Sequence, residues 1–403
     1  MRILFINQYY WPDYAATAQM LTDLAERLAA KGHEVTVLCS RRPYAGGKAV
    51  YQKRETRNGV HILRVSATGG GRKVGLVSRG LDFLSFYASA TVKCLLLPCA
   101  DVVVTLTSPP LIGMLGWFLS MIKGAKHVHW CMDVFPDFLV ANNVIRNGGT
   151  VHRVLVWLAK RYIRTADAIV VLGRYMKERI LTYNPRAGCV HILPVWADGR
   201  KIFPVPRDTN WFARKHNIEG KFVVLYSGNI ALWDSFDTVV SAAERLANDK
   251  DILFLFIGEG FPCEKLKVSV QERRLSNFRF LPYQKRGDLA YSLSSGYAHV
   301  VLVGKEAGMR VPSKIFGIMA AGGSIIFIGS RDNEVADIVS NNNIGFIVED
   351  GDVEGFVTAV KTLRDNPRLR DEISQRTRAV FEKDYDITVV TERFDRLLRG
   401  LSV

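Results

Sequence analysis

The segment Arg2–Ser40 fixes what this chain can become. RILFINQ and EVTVLCS are short apolar runs, and between them Leu21, Leu24, Ala25, Leu28 and Ala29 repeat at the spacing of one helical face before Gly32 stops the helix. The pattern predicts a strand over Arg2–Gln8, a helix from about Thr17 to Lys31 and a strand over Glu34–Ser40, a βαβ unit whose helix packs on a parallel sheet. The loop WPDYAAT then falls at the carboxyl end of the first strand, where open α/β sheets bind ligands.

The same alternation continues. GVHILRVS, VVVTLT, KHVHWCMD and AIVVLG are short, apolar and punctuated, as strands of a parallel sheet are. Pro194–Pro206 holds three prolines and little periodicity, and beyond it FVVLYSG, ILFLFIG, FRFLP, HVVLVG and SIIFIG begin a second series. The expected fold class is α/β, two doubly wound Rossmann-like domains facing a cleft. The expected boundaries are 1–195, a linker at 196–206, a second domain at 207–386 and a C-terminal helix at 387–403. In that helix Val390, Phe394, Leu397, Leu398 and Leu401 share one stripe.

Hydrophobic residues make up 48% of the 403, enough to bury a core in each domain. No run of 18 uncharged apolar residues occurs and the chain enters its first strand at once, so the reading is a cytoplasmic protein without spanning helix or signal peptide. The six cysteines lack any CxxC or Cys/His spacing, which predicts reduced thiols and no zinc.

Charge is the most informative bulk property. Residues 1–195 carry 25 Lys+Arg against 11 Asp+Glu, a net of +14, whereas 196–403 carry 29 against 28, a net of +1. An excess confined to one half predicts an anionic partner for that half. Residues 72–121 are apolar on more than one face and flanked by Arg72, Lys73, Arg79, Lys123 and Lys126, which fits either a buried helix or one dipping into a membrane interface. Over Val151–Arg164, the stripe Val151, Val154, Leu155, Leu158, Ala159 and Tyr162 is expected in the core, leaving Arg153, Lys160, Arg161 and Arg164 outward. Such a basic helix suits an anionic membrane surface. RRM, KH and helix-turn-helix signatures are missing, which speaks against nucleic acid.

The candidate chemistry centres on VPSKIFGIMAAGGSIIFIG, Val311–Gly329. Ser313 is a favoured N-cap, Ile315, Ile318 and Met319 fall at helical spacing, and Gly322-Gly323 can supply a left-handed C-cap before a buried strand. A helix N-terminus offers unpaired amides and about half a positive charge to phosphate oxygens. Lys305 and Arg310 precede this helix and Lys314 sits in its first turn, where a cation opposes the helix dipole and wants a local anion. Solvated surface cations are the plain alternative. Glu334, after the strand, suits sugar hydroxyls or a cap of the next helix.

Other chemistries lack their equipment. No carboxylate pair stands out for glycoside hydrolysis, GEG at 258–260 is a fragment of GxGxxG, and GxSxG is missing. DGD (Asp350–Asp352) and DYD (Asp384–Asp386) sit where turns and caps use aspartate, so neither a metal nor another cofactor is expected.

An ordered set of motifs carries a resemblance: QYYWPDYAATAQMLTDLAERLAAKGHEVTVLCS, HWCMDVFPD, RTADAIVVLGRYM, ILPVWAD, LYSGNIALWDSFDTVV, FIGEG, VPSKIFGIMAAGG and EVADIVSNNNIGFIVEDGD. The chain resembles the retaining glycosyltransferases of family 4 (GT-B fold), in their bacterial exopolysaccharide and lipopolysaccharide branch of colanic acid and O-antigen type. The resemblance implies hexosyl or N-acetylhexosaminyl transfer, with retention, from a nucleotide-sugar, a UDP-sugar, onto a polyprenyl-diphosphate-linked glycan at the inner face of the cytoplasmic membrane. It also implies that the C-terminal helix crosses back to the first domain. A sugar-nucleotide 2-epimerase and a non-catalytic nucleotide-sugar-binding protein are the alternatives.

The resemblance matches Asp133 to a family Asp, with helix capping as its plain alternative; with Lys305 and Lys314 it makes up the catalytic candidates, and Gly228, Asn229, Gly258, Arg310, Ser313 and Glu334 are the donor-binding ones. Tyr14, Ala15 and Ala16 form the phosphate loop on the acceptor side. Several positions depart from the family pattern. Ala15-Ala16 replace two glycines, Asn229 and Asp234 replace an Arg and a Lys, Met309 and Gly317 stand at the glutamate positions, and Met132 stands for the active-site His. The diphosphate clamp therefore moves to Lys305 and Lys314.

Overall fold

A computed structural model describes residues 1–44, 46, 49–68, 75–230, 235–260, 263–304 and 311–401. The chain divides into two compact units, Met1–Pro194 with Thr391–Val403, and Val195–Val390.

The first unit holds an eight-stranded sheet among its described residues. Its strands are β1 (Arg2–Ile6), β2 (Glu34–Ser40), β3 (Arg54–Arg57), β4 (Val60–Val65), β5 (Val102–Thr105), β6 (Lys126–Trp130), β7 (Ala168–Val171) and β8 (Val190–Ile192), in the order β3-β4-β2-β1-β5-β6-β7-β8. All neighbours are parallel except β3 and β4. Its helices are α1 (Ala16–Ala30), α2 (Leu76–Leu96), α3 (Gly113–Lys123), α4 (Asp137–Ala141), α5 (Thr150–Thr165) and α6 (Arg174–Leu181). Because β4→β5, β5→β6 and β6→β7 all advance in one direction, right-handed crossovers put α2, α3 and α5 on the same face of the sheet, and α1 on the other.

Between Gly113 and Gly116 α3 lies so close to its neighbours that a Cβ at Gly113 would stand 2.4 Å from the Tyr162 ring, and one at Gly116 2.2 Å from His127 Nε2. Thr105 Oγ1 lies 2.9 Å from His127 Nε2 and 3.2 Å from His129 Nδ1, and burial pushes both imidazoles down to about 3. These histidines are core.

The second unit has a six-stranded, all-parallel sheet among its described residues, in the order β11-β10-β9-β12-β13-β14. The strands are β9 (Phe222–Ser227), β10 (Ile252–Ile257), β11 (Phe278–Leu281), β12 (Ala298–Leu302), β13 (Ser324–Ile328) and β14 (Gly345–Val348). Around them run α7 (Trp211–Lys215), α8 (Asp237–Arg245), α9 (Cys263–Glu272), α10 (Leu289–Leu293), α11 (Lys314–Ala320), α12 (Glu334–Asn341), α13 (Val353–Asp365) and α14 (Pro367–Val380). The strand order reverses between β9 and β12, so the topological switch point lies there. Finally α15 (Ile387–Leu401) begins in the second unit and ends in the first.

Several expectations change. The segment expected as a linker packs into the second unit: Gly199 N donates to Asp386 Oδ2 (3.0 Å), Val205 N to Ser294 Oγ (3.0 Å), and Arg378 Nη1 to Ile202 O (3.1 Å). β3, β8 and β14, all edge strands, have no counterpart in the sequence reading. The largest difference is in α5, where Val151 and Val154, expected in the core, are exposed, and the buried residues are Ala159, Tyr162 and Ile163. The stripe meets the sheet only in its C-terminal half.

Candidate active site

Strand β9 is buried along nearly its whole length, and Tyr226, its penultimate residue, is fully enclosed. Its ring stacks on Phe256 at 5.2 Å and meets Phe236 edge-on at 5.0 Å, which leaves the phenol pointing out of the carboxyl end of the strand. There Tyr226 Oη donates to the Asn229 carbonyl (2.7 Å) and accepts from Lys314 Nζ (2.6 Å), while the ammonium lies 4.0 Å from the ring centroid. Lys314 is thus aimed at the switch point by a buried tyrosine, half-buried rather than solvated. The sequence reading missed Tyr226, a lone phenol after the apolar run FVVL of β9.

Two glycines make room for this arrangement. Gly228 has φ +148°, and a Cβ on it would stand 3.1 Å from Lys314 Cε. Gly258 has φ +144°, and its Cβ would fall 2.0 Å from the Gly228 carbonyl oxygen. The turns after β9 and β10 therefore touch backbone to backbone, fixed by Gly228 N to Ile257 O (3.0 Å) and Ile230 N to Glu259 O (3.0 Å). Asn229 is exposed on this turn, its Oδ1 accepting from Tyr283 Oη at 3.4 Å.

Helix α11 starts at Lys314 and closes as expected. Gly323 N donates to Ile318 O (2.9 Å) and Gly322 N to Met319 O (3.0 Å), with Gly322 at φ +69°, a Schellman cap. Its start differs: Ser313 occupies the N-cap position with helical dihedrals and makes no side-chain cap bond, so its hydroxyl is not spent on the helix. Glu334 is not the cap of α12 either, because Asn333 Oδ1 accepts from Val335 N at 2.8 Å. Since every strand here is parallel, Gly228, Asn229, Gly258, Ser313, Lys314 and Glu334 all lie at the carboxyl edge of one sheet. Lys305 and Arg310, like Asp234 and Met309, lie outside the described residues.

The remaining candidates belong to the first unit. Asp133 follows β6 half-buried, ahead of α4, which begins at Asp137 with Pro136 at the N-cap position. Burial and the Asp133 and Asp137 carboxylates push the neighbouring Cys131 thiol up. Ala15 sits at the N-cap position of α1 and Ala16 is its first residue, with no side-chain cap. Tyr14 is exposed and meets Tyr44 edge-on at 5.6 Å, and Tyr44 meets Tyr9 at 5.0 Å. Beneath them Asp13 is buried, accepting from Tyr44 N (2.8 Å) and Tyr51 Oη (3.3 Å); burial outweighs these bonds and raises its carboxyl.

Three of the paired aspartates hold turns and caps. Asp352 Oδ1 caps α13 through Gly355 N (2.8 Å), Asp350 Oδ1 accepts from Thr238 Oγ1 (3.1 Å), and Asp386 accepts from Gly199 N and Thr388 N.

Known proteins match this chain along most of its length. The family model described as "Glycosyl transferase 4-like domain" matches residues 16–196, and that described as "Glycosyl transferases group 1" matches residues 208–380. The chain is 28% identical over 316 residues to the probable glycosyltransferase WbjE of Pseudomonas aeruginosa, covering 75% of each chain. It is 25% identical over 385 residues to the putative colanic acid biosynthesis glycosyl transferase WcaI of Escherichia coli (strain K12), covering 90% of this chain and 91% of that one. Among solved structures it superposes on Anabaena Alr3699/HepE, determined with UDP, with a TM-score of 0.74 at 13% identity, covering 99% of this chain and 100% of that one. With the two family models together spanning nearly its whole length, the chain belongs to the glycosyltransferases of the two-domain GT-B type.

Proposed function

We propose that the protein transfers a sugar, with retention, from a UDP-sugar onto a polyprenyl-diphosphate-linked glycan in cell-surface polysaccharide synthesis, at the inner face of an anionic cytoplasmic membrane. The observation that carries this reading is Lys314, held by Tyr226 against Gly228 at the switch point of the second sheet. A fixed cation there meets the charge that develops on the departing diphosphate, which is where electrostatic preorganisation contributes most to catalysis. The naming of WcaI for colanic acid biosynthesis and the determination of HepE with UDP support the pathway and the donor class.

In this mechanism Lys314, Lys305 and Arg310 neutralise the diphosphate, while Gly228, Asn229 and Gly258 let it approach the backbone. Ser313, its hydroxyl not used in capping, donates to a phosphate oxygen, and Glu334 accepts from hydroxyls of the transferred sugar. The anomeric carbon–phosphate oxygen bond breaks, the acceptor oxygen bonds to the same face of that carbon, and the acceptor proton passes to the departing phosphate oxygen. No protein nucleophile is needed. Asp133 and the Tyr14–Ala16 loop serve the acceptor side.

Isothermal titration of UDP and GDP without added metal tests the donor site. UDP is expected to bind preferentially, and Lys314→Ala to weaken it by about tenfold or more, the ~1.4 kcal/mol of a lost charged contact. Tyr226→Phe keeps the stacked ring but releases the lysine, and is expected to weaken UDP less than Lys314→Ala. Unchanged binding in both variants would remove this site from the reaction.

A further inference from the structure

The outer faces of α2, α3 and α5 have the wrong polarity for solvent. On α2 the buried stripe is Asp82, Phe86, Ala90 and Cys94, and the opposite stripe, Val77, Leu81, Leu84, Val92 and Leu95, is apolar and exposed; Leu84 is 67% accessible. On α3 Phe118, Met121 and Ile122 point outward, and on α5 Val151, Val154 and Trp157, the last 63% accessible. The three helices lie on one face of the sheet. Arg161 of α5 stacks over Trp117 of α3 at 5.3 Å, and Lys123 of α3 donates to the Cys94 carbonyl (2.8 Å) at the end of α2. The apolar side chains are therefore gathered on one side of the first unit rather than scattered singly.

Charge selects what covers it. The three helices carry seven basic residues (Arg79, Lys93, Lys123, Arg153, Lys160, Arg161, Arg164) and one acidic one, Asp82, which is buried against Gln8 Nε2 at 2.8 Å. A second copy meeting this face would bring two strongly basic surfaces together, whereas anionic headgroups complement it. Long basic side chains beside leucine and tryptophan are also the arrangement of helices that lie in a membrane interface, stems in the apolar layer and charges at the headgroups. Among the described residues no helix is long and apolar enough to cross a membrane.

We infer that the exposed face of α2, α3 and α5 lies in the interface of an anionic phospholipid bilayer, with Leu81, Leu84, Met121 and Trp157 entering the apolar layer and Arg79, Lys93, Arg153 and Lys160 at the phosphates. This deepens the membrane-peripheral part of the proposed function, and explains why residues expected in the core of α5 are outside it.

Sedimentation with vesicles of mixed phosphatidylglycerol and phosphatidylcholine, against pure phosphatidylcholine, tests the inference on the full chain. Wild type is expected to bind the anionic vesicles, less at high salt, and Leu84→Glu and Trp157→Glu each to weaken binding by about tenfold or more. Val268→Glu, at an exposed apolar position of α9 in the second unit, is expected to bind as wild type. Equal binding by all four proteins, or no binding by wild type, overturns the docking face. Dimerisation that Leu84→Glu abolishes, with vesicle binding intact, would assign the face to a second copy instead. A UDP titration on the same samples separates the readings: UDP binding without vesicle binding sinks the docking face alone, and vesicle binding without UDP binding sinks the donor site alone.

Discussion

His33 and Asp395, 362 residues apart in sequence, meet at 2.7 Å between Nε2 and Oδ1, both buried in the first unit. The carboxylate also accepts from Lys31 (3.2 Å) and Arg399 (3.1 Å). Burial alone would raise Asp395, but the hydrogen bonds from these three neighbours outweigh it and hold the carboxyl below its ordinary value. Its contribution to stability is therefore fully present above about pH 3.9, the unfolded value, and is lost as pH falls through the folded one. Asp395→Asn takes the carboxylate from the buried His33 ring and from Arg399, while Lys31 stays paired with Glu392, and is expected to cost about 3 kcal/mol, as breaking a buried pair does. Chemical denaturation at neutral pH measures it, and a loss within error would make the cluster ornamental.

His127 and His129 are shifted the same way, over a higher and wider window. Held down to about 3 in the core, against 6.5 when unfolded, they bind fewer protons folded than unfolded across that window, so stability rises with pH from about 3 to 6.5. Each is expected to contribute a slope of about 1.4 kcal/mol per pH unit there. Urea midpoints across this range check the slope, which should flatten by about one proton in His127→Gln. An unchanged slope would mean that the imidazole protonates without unfolding.

Gly258→Ala places a methyl 2.0 Å from the Gly228 carbonyl oxygen at a left-handed φ. Relief requires the turns after β9 and β10 to separate, at a cost of about 2–4 kcal/mol from strain and overpacking. Melting temperature and UDP affinity are expected to fall together. Wild-type affinity in a destabilised protein would show that the turn matters for folding only.

The sequence revealed the interior strands because strands enclosed on both faces are written in unbroken apolar runs, as ILFLFI is. The three strands it hid are edges. β3 reads RETR, half exposed, β8 has three residues, and β14 opens with Gly345, whose missing Cβ lets it pair with Ile325. In the candidate site, the sequence indicated the place of Lys314 and the glycines at the strand ends. Tyr226 stayed hidden because its role depends on which strand end the lysine meets, a contact 88 residues away in sequence. The helical spacing in α5 was real, but periodicity reports which residues share a face and not what that face touches.

Helix α15 gives the chain an order of assembly. Phe394 meets Trp130 edge-on at 5.1 Å and, with Leu398, is fully buried in the first unit, yet both residues are translated after all of the second. On the ribosome the second unit has its whole sequence in hand while the first still waits for the helix that covers Trp130 and brings Asp395 to His33. The first unit, begun earliest, is the one completed last.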